Sequence, residues 1–156
     1  MRAINHALTG ATIGLLVPEP AVALPAALAS HFVLDAIPHF GVNEDRLIDK
    51  DIKTHWFMVL LFTDAILCLT LVAILYESGT AHWLLAASCA FVAALPDFML
   101  VPRFYRAKRY GNLSRVSHNA VVSFHDHLQR QLPLGAVVEV AWLAAAVIVL
   151  SAWLHA

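Results

Sequence analysis

Long apolar runs alternate with short polar segments along this chain. Three of the runs, 56–76, 81–101 and 134–154, each hold about 20 residues, the length that crosses the hydrocarbon core of a bilayer as a helix. The pattern therefore predicts three transmembrane helices.

Two shorter apolar runs, 3–17 and 21–37, precede these helices and are separated by Pro18, Glu19 and Pro20. Because proline cannot continue a helix, this spacing predicts a helical hairpin over residues 3–37. The first run would be about 22 Å long as a helix, which is short for a bilayer. The hairpin is therefore expected either to re-enter the membrane or to span a locally thinned bilayer.

Segment 102–133 is basic and has a different pattern. Within it, residues 114–132 place apolar side chains such as Val116, Phe124 and Leu128 at helical spacing among polar ones. This pattern is typical of an amphipathic helix that lies at a membrane surface. The fold class is therefore predicted to be all-α: a polytopic integral membrane bundle with about five helical segments and an interfacial amphipathic helix.

The distribution of Lys and Arg predicts the orientation of the bundle. All ten of these residues lie at Arg2, in the 38–55 loop or in the 102–133 loop, and the turns at the opposite ends of the helices carry none. By the positive-inside rule, the N-terminus and both basic loops are cytoplasmic. We therefore expect a multi-pass protein of the bacterial inner membrane with its N-terminus in the cytoplasm.

Composition agrees with this interpretation. The chain of 156 residues is 60% hydrophobic, with a mean hydropathy of +0.72, and fits one domain over residues 1–156. A net charge of −1 gives no nucleic-acid footprint. Membrane lipid is the expected partner, and the sequence leaves open whether the chain forms a homo-oligomer.

The ionisable residues inside the apolar segments suggest a site. Apart from His82, they all fall toward the predicted cytoplasmic side, although the positive-inside rule says little about acids or histidines. Ionisable groups in lipid are costly and usually face a bundle interior at a functional site.

His31 and Asp35 are four residues apart, so they share one helical face and could bind one ligand. A structural alternative is that the two side chains only hydrogen-bond each other. His6 and Asp97 lie at matching depth, and His39 follows just past the end of the same run. Imidazole and carboxylate together favour zinc, or a harder metal such as manganese. The metal candidates are thus His6, His31, Asp35, His39 and Asp97.

Further candidates lie nearby in the predicted topology. His118, His125 and His127 belong to the amphipathic segment, and we take His125 as the one that could complete the metal site, although a surface role remains open for each. Asp64 and Glu139 lie inside apolar runs. Each could orient a ligand histidine or act as a catalytic general base.

Three short motifs resemble those of the bacterial membrane-bound metal-dependent hydrolases. They are an early His6 with Gly10, the Ser-His-x-x-x-Asp motif ending at Asp35, and the Leu-Pro-Asp motif ending at Asp97. In that family Leu-Pro-Asp is usually followed by Asp and His and precedes Ser-His-x-x-x-Asp, whereas here Phe98 and Met99 follow and the order is reversed. The resemblance implies metal binding more directly than it implies hydrolysis.

The function expected from these residues is metal-dependent hydrolysis of a lipid-borne ester or phosphoester at the cytoplasmic leaflet. A divalent metal, zinc or manganese, would lower the pKa of water, and Asp64 or Glu139 would take the proton. A metal-stabilised scaffold or partner-binding subunit is the first alternative. A metal or ion carrier is the second, but it would need polar residues toward the outer leaflet, where the helices have almost none.

Overall fold

The computed structural model describes residues 1–40, 51–110, 123–124, 127–132 and 134–154, with the side chains of 51–57, 100 and 102–110 excepted. The chain forms five helices: α1 (Ala3–Leu16), α2 (Pro20–Ala36), α3 (Asp51–Glu77), α4 (Trp83–Tyr110) and α5 (Gly135–Leu154). The described part contains no strand, only an isolated bridge between His39 and Gln131. The all-α prediction is confirmed.

The N-terminal hairpin has the predicted form. Helix α2 begins at Pro20, where proline suits the first helical position, and the Glu19 carboxylate accepts a hydrogen bond from the Ala21 N–H at 3.5 Å. The linker of residues 17–19 is short, and the start of α1 lies beside the end of α2, so the two helices are antiparallel.

Helix α4 is longer than the predicted span of 81–101. It continues through Pro96 and Pro102 to Tyr110, so residues 103–110 are helical where the sequence predicted a loop beginning at 102. A proline removes one helical hydrogen bond, and the Arg, Lys and Ala residues beyond it are good helix formers. Helix α3 likewise begins at Asp51, five residues before the predicted 56.

The predicted amphipathic helix over 114–132 does not reach its expected end. Residues 123–124 and 127–128 are helical, residues 129–132 are not, and residues 114–122 lie outside the described part of the chain. The reason is that the main chain of 130–132 bonds to other segments: the Arg130 N–H donates to the Asp35 carbonyl at 3.1 Å, and the Leu132 N–H to the His39 carbonyl at 2.9 Å.

Helix α1 is the centre of the bundle. It packs against all four other helices, most extensively against α4. The approach to α4 is close because α1 offers glycine: a Cβ on Gly10 would collide with the Cys89 carbonyl oxygen, and one on Gly14 would lie 2.6 Å from the Ala86 Cα. Small residues let helix backbones approach in this way.

Two helical segments in the described residues, Met58–Glu77 and Gly135–Leu154, are long and apolar enough to cross a membrane. The third predicted span corresponds to Trp83–Met99, which is apolar but shorter, as are α1 and α2. Helices α3 and α5 also expose large apolar side chains; Leu69 is 71% exposed and Val137 is 69% exposed. Contiguous apolar surface of this kind favours membrane association.

Candidate metal centre

Four donor side chains from three helices converge at one end of the bundle. His6 comes from the start of α1, His31 and Asp35 from the end of α2, and Asp97 from the middle of α4. Each offers one ligand atom, and the four atoms lie within 4.8 Å of one another. The sequence had named all four as metal candidates.

The distances describe a compact group around Asp35. His6 Nε2 lies 3.2 Å from Asp35 Oδ1 and 3.8 Å from Asp97 Oδ2, and His31 Nε2 lies 3.2 Å from Asp35 Oδ2. Donors bound to one tetrahedral zinc ion at about 2.0–2.2 Å lie about 3.3–3.6 Å from one another. The contacts of 3.2–3.8 Å already come close to this spacing, whereas pairs as far as 4.8 Å apart have to shorten by roughly 1 Å to hold such an ion.

His31 is oriented by a main-chain contact. Its Nδ1 lies 2.8 Å from the carbonyl oxygen of Ala93 in α4. A carbonyl can only accept, so Nδ1 carries the proton and, in the neutral ring, Nε2 keeps its lone pair. A backbone carbonyl behind a ligand histidine is a common second-sphere partner at metal sites. This residue is fully buried.

His6 supplies a second indication that the group fits a cation. The ring is fully buried and stacks on the His31 ring, with centroids 4.0 Å apart. Neither ring nitrogen makes a hydrogen bond of suitable geometry among the described residues, and Nε2 is the one that faces Asp35 and Asp97. Buried polar atoms are normally satisfied, and a metal ion is one partner that suits an imidazole nitrogen. The two imidazoles and two carboxylates form a donor set that could hold a metal ion.

Asp35 has a cationic partner in the structure. The amino group of Met1 forms a buried ion pair with Asp35 Oδ1. An ammonium and a metal ion would compete for this oxygen. The contact balances one of the carboxylate charges at the site.

A second polar group, centred on Arg2, lies beside the four donors. The Arg2 Nε donates to Asp64 Oδ1 at 3.1 Å, and Nη2 lies 2.9 Å from the same oxygen. The Arg2 main-chain N–H donates to Glu139 Oε1 at 2.9 Å. Arg2 thus joins α3 to α5, and it contacts both predicted catalytic carboxylates, neither of which is a member of the four-donor group.

Charge in this region is unbalanced when the carboxylates are ionised. Four carboxylates, those of Asp35, Asp64, Asp97 and Glu139, face two cationic groups, the Arg2 guanidinium and the Met1 ammonium. Buried charge is costly without compensation. A divalent cation would supply the two missing positive charges.

His39 lies next to the group but is not one of its four members. Its Nδ1 donates to the Ile37 carbonyl at 2.9 Å, and its main chain pairs with residues 130–132. Burial lowers the pKa of His39 from its ordinary 6.5, and the positive amino terminus lowers it further. At neutral pH the ring is therefore uncharged, with Nε2 able to accept a proton.

A cavity of about 440 Å³ borders the site. Apolar residues of α3 and α5, including Leu60, Leu67, Val140 and Leu143, form much of its wall. Polar side chains also line it: Arg2, His39, Asp64, Asp97 and Glu139. Asp97 belongs to both the cavity and the donor group, so the cavity adjoins the candidate metal centre at this residue.

The structure thus brings together His6, His31, Asp35 and Asp97, and places His39, Asp64 and Glu139 around the adjoining cavity. His125 lies outside the described residues. Sequence reasoning missed Arg2 and the Ala93 carbonyl. The sequence analysis used Arg2 only to predict membrane orientation. A main-chain carbonyl is present in every residue, so the sequence does not indicate which one binds a histidine.

No protein-family model matches this chain, and no curated protein or solved structure is significantly similar to it.

Proposed function

We propose that this protein is a membrane-embedded, metal-dependent hydrolase that acts on a lipid-borne ester or phosphoester. The observation that carries the proposal is that Asp97 is one of the four donors and also lines a largely apolar cavity. A site with donors at one end and apolar walls suits an amphiphilic substrate.

In this proposal His6, His31, Asp35 and Asp97 hold a divalent ion, zinc in the first instance and manganese as the other candidate. A bound ion of this type lowers the pKa of water and polarises an ester or phosphoryl oxygen. The chain's own contribution is to hold the donors: Ala93 fixes the tautomer of His31, and burial of the donors excludes bulk water.

Glu139 is the favoured general base in this proposal, with Asp64 as the other candidate. Asp64 faces the positively charged guanidinium of Arg2, which stabilises its ionised form, whereas the hydrogen bond that Glu139 accepts comes from the neutral main-chain N–H of the same residue. Glu139 would take a proton from water as the water oxygen bonds to the carbonyl carbon or phosphorus. The bond to the leaving alcohol breaks, and the alcohol oxygen takes up the proton.

The membrane setting of the proposal rests on the two apolar helical segments and on the charge pattern. We infer a polytopic protein of the bacterial inner membrane with a cytoplasmic N-terminus, because all Lys and Arg residues lie on one predicted side. The short motifs that resemble those of the bacterial membrane-bound metal-dependent hydrolases support the metal-binding part of the proposal more directly than the hydrolysis.

One observation favours a non-catalytic alternative. The Met1 amino group, His6 and His31 all contact Asp35, so the group has an internal ion pair even without a metal. A scaffold held together by these contacts, to which a metal adds further stability, would need no catalytic residue. Metal binding is expected for both the hydrolase and the scaffold, so only a measurement of turnover distinguishes them.

The test combines metal content with turnover in purified protein. The wild-type protein should contain near-stoichiometric zinc or manganese and hydrolyse fluorogenic lipid esters or phosphoesters. Glu139→Gln should keep the metal and lose roughly 10²–10⁴-fold in kcat, the usual contribution of a general base. Metal binding with no hydrolysis of either lipid class would favour the scaffold.

A further inference from the structure

The cavity beside the donor group has a gap in its wall. Helices α3 and α5 each pack against α1, but they make no substantial contact with each other in the described part of the bundle. The cavity lies between them, and Val140, one of its wall residues, is 66% exposed. These two helices are also the ones apolar enough to cross a membrane. The gap therefore faces the lipid phase.

Arg2 lies in this gap and is anchored on both sides. Asp64 of α3 binds its Nε, and Glu139 of α5 binds its main-chain N–H. The side chain is 32% exposed and lines the cavity, while its Nη2 atom is buried against Asp64.

The Arg2 guanidinium also has unused hydrogen-bonding capacity. Its Nη2 is buried in the ion pair with Asp64 and makes no hydrogen bond of suitable geometry to a described residue. A guanidinium presents five N–H donors in a fixed fork that matches the oxygens of a phosphate. Such charge-assisted pairs are stronger than neutral hydrogen bonds.

We propose that Arg2 is the phosphate receptor of the site, and that the substrate is a phosphate-bearing lipid that enters sideways between α3 and α5. The apolar walls take the first part of the acyl chains, and Arg2 holds the phosphate next to the donor group. Asp64 is then a positioning residue that fixes the guanidinium. This inference rests on the proposed function, because it names the substrate class of the same site.

Binding is measured apart from turnover, in lipid nanodiscs, with fluorescent phosphatidic acid as the probe. Diacylglycerol carrying the same chains lacks the phosphate, and glycerol phosphate lacks the chains. Phosphatidic acid should bind and the other two should bind at least about tenfold more weakly. Glycerol phosphate binding as tightly as phosphatidic acid would show a soluble substrate and overturn the lipid assignment.

The variants then test the residue. Arg2→Gln should weaken phosphatidic acid binding by about tenfold or more, the effect expected when a charge-assisted hydrogen-bonded pair is lost. Arg2→Lys should recover only part of it, since lysine lacks the fork. The exposed Arg130 is the matched control, and Arg130→Gln should bind as wild type. If Arg2→Gln and Arg130→Gln lose phosphatidic acid affinity equally, the effect comes from overall charge, and the assignment of Arg2 as the phosphate receptor is overturned.

A double variant distinguishes a loss of binding at Arg2 from a loss caused by misfolding. Arg2→Gln leaves Asp64 without its cation, which can destabilise a buried site, whereas Arg2→Gln with Asp64→Asn removes both charges. The double variant should unfold near the wild-type temperature and still bind phosphatidic acid weakly. Wild-type binding by this folded variant would overturn the role of Arg2.

The route of entry has its own matched pair on α5. Val140 lines the cavity and is 66% exposed, whereas Ile148 is 67% exposed and is not among the cavity residues. Val140→Trp should slow phosphatidic acid binding, and Ile148→Trp should not; equal binding rates would exclude entry between α3 and α5.

The binding and hydrolysis assays distinguish failure of this inference from failure of the proposed function. Phosphatidic acid binding that follows this pattern without hydrolysis would refute the hydrolase and leave the lipid site standing. Hydrolysis at the wild-type rate by the Arg2→Gln protein would refute the role of Arg2 and leave the hydrolase proposal standing.

Discussion

The Nδ1–H of His31 donates to the main-chain carbonyl oxygen of Ala93 at 2.8 Å. This bond joins α2 to α4 and sets which nitrogen of the imidazole faces the other donors. Ala93 also lies where α4 meets Gly10 of α1, since a Cβ on Gly10 would come within 2.8 Å of the Ala93 Cβ. Helix packing and the orientation of a candidate metal ligand are therefore linked through one turn of α4.

Gly10→Ala tests this link. The added methyl group would collide with the Cys89 carbonyl oxygen, so α1 and α4 must separate. We expect a loss of about 1–3 kcal/mol in unfolding free energy, as for other overpacked cores, together with weaker metal binding. Thermal unfolding and zinc titration measure the two effects. Ala144→Leu, at an exposed position of α5, should change neither. If the Gly10→Ala protein is destabilised but binds zinc with unaltered affinity, the packing of α1 against α4 does not control the metal site.

His31→Ala should lower bound metal and thermal stability together, because a lost ligand removes metal-linked folding energy. His82, an exposed histidine at the other end of α4, provides the comparison, and His82→Ala should leave both quantities near wild type. Elemental analysis and melting temperatures with and without chelator give the readout. The site assignment fails if the two variants carry equal metal.

Gly135→Ala should disturb the segment beside the site. Gly135 is buried at the start of α5, and a Cβ there would overlap the main chain of His39. His39 would have to move, which strains its pairing with residues 130–132. We expect lower thermal stability and lower turnover, because His39 lines the cavity. Ala141→Ser, an exposed change in the same helix, should be neutral in the same assays.

Topology can be tested in intact cells. Cysteines placed at Asn43 and Asn112 should be shielded from an impermeant thiol reagent, and a cysteine at Ser78 should react, after Cys68 and Cys89 are replaced. The reason is the position of all Lys and Arg residues on one predicted side. Labelling of the Asn43 and Asn112 positions from outside would invert the proposed orientation.

Local patterns in the sequence determined much of the fold. Apolar runs and the prolines at 18 and 20 predicted five helices and the N-terminal hairpin, because helix length and helix breaking depend on neighbouring residues. The four-residue spacing of His31 and Asp35 likewise placed both on one helical face. Depth along each helix was enough to associate them with His6 and Asp97.

The tertiary structure decided which residues around the site act together. Arg2, Asp64 and Glu139 are far apart in the chain and meet only because α3 and α5 both pack against α1. The carbonyl of Ala93 reaches His31 because glycine lets α1 approach α4 closely. Contacts of this kind depend on how helices are placed in space, and every residue has a carbonyl, so no local pattern of side chains can indicate which one is used.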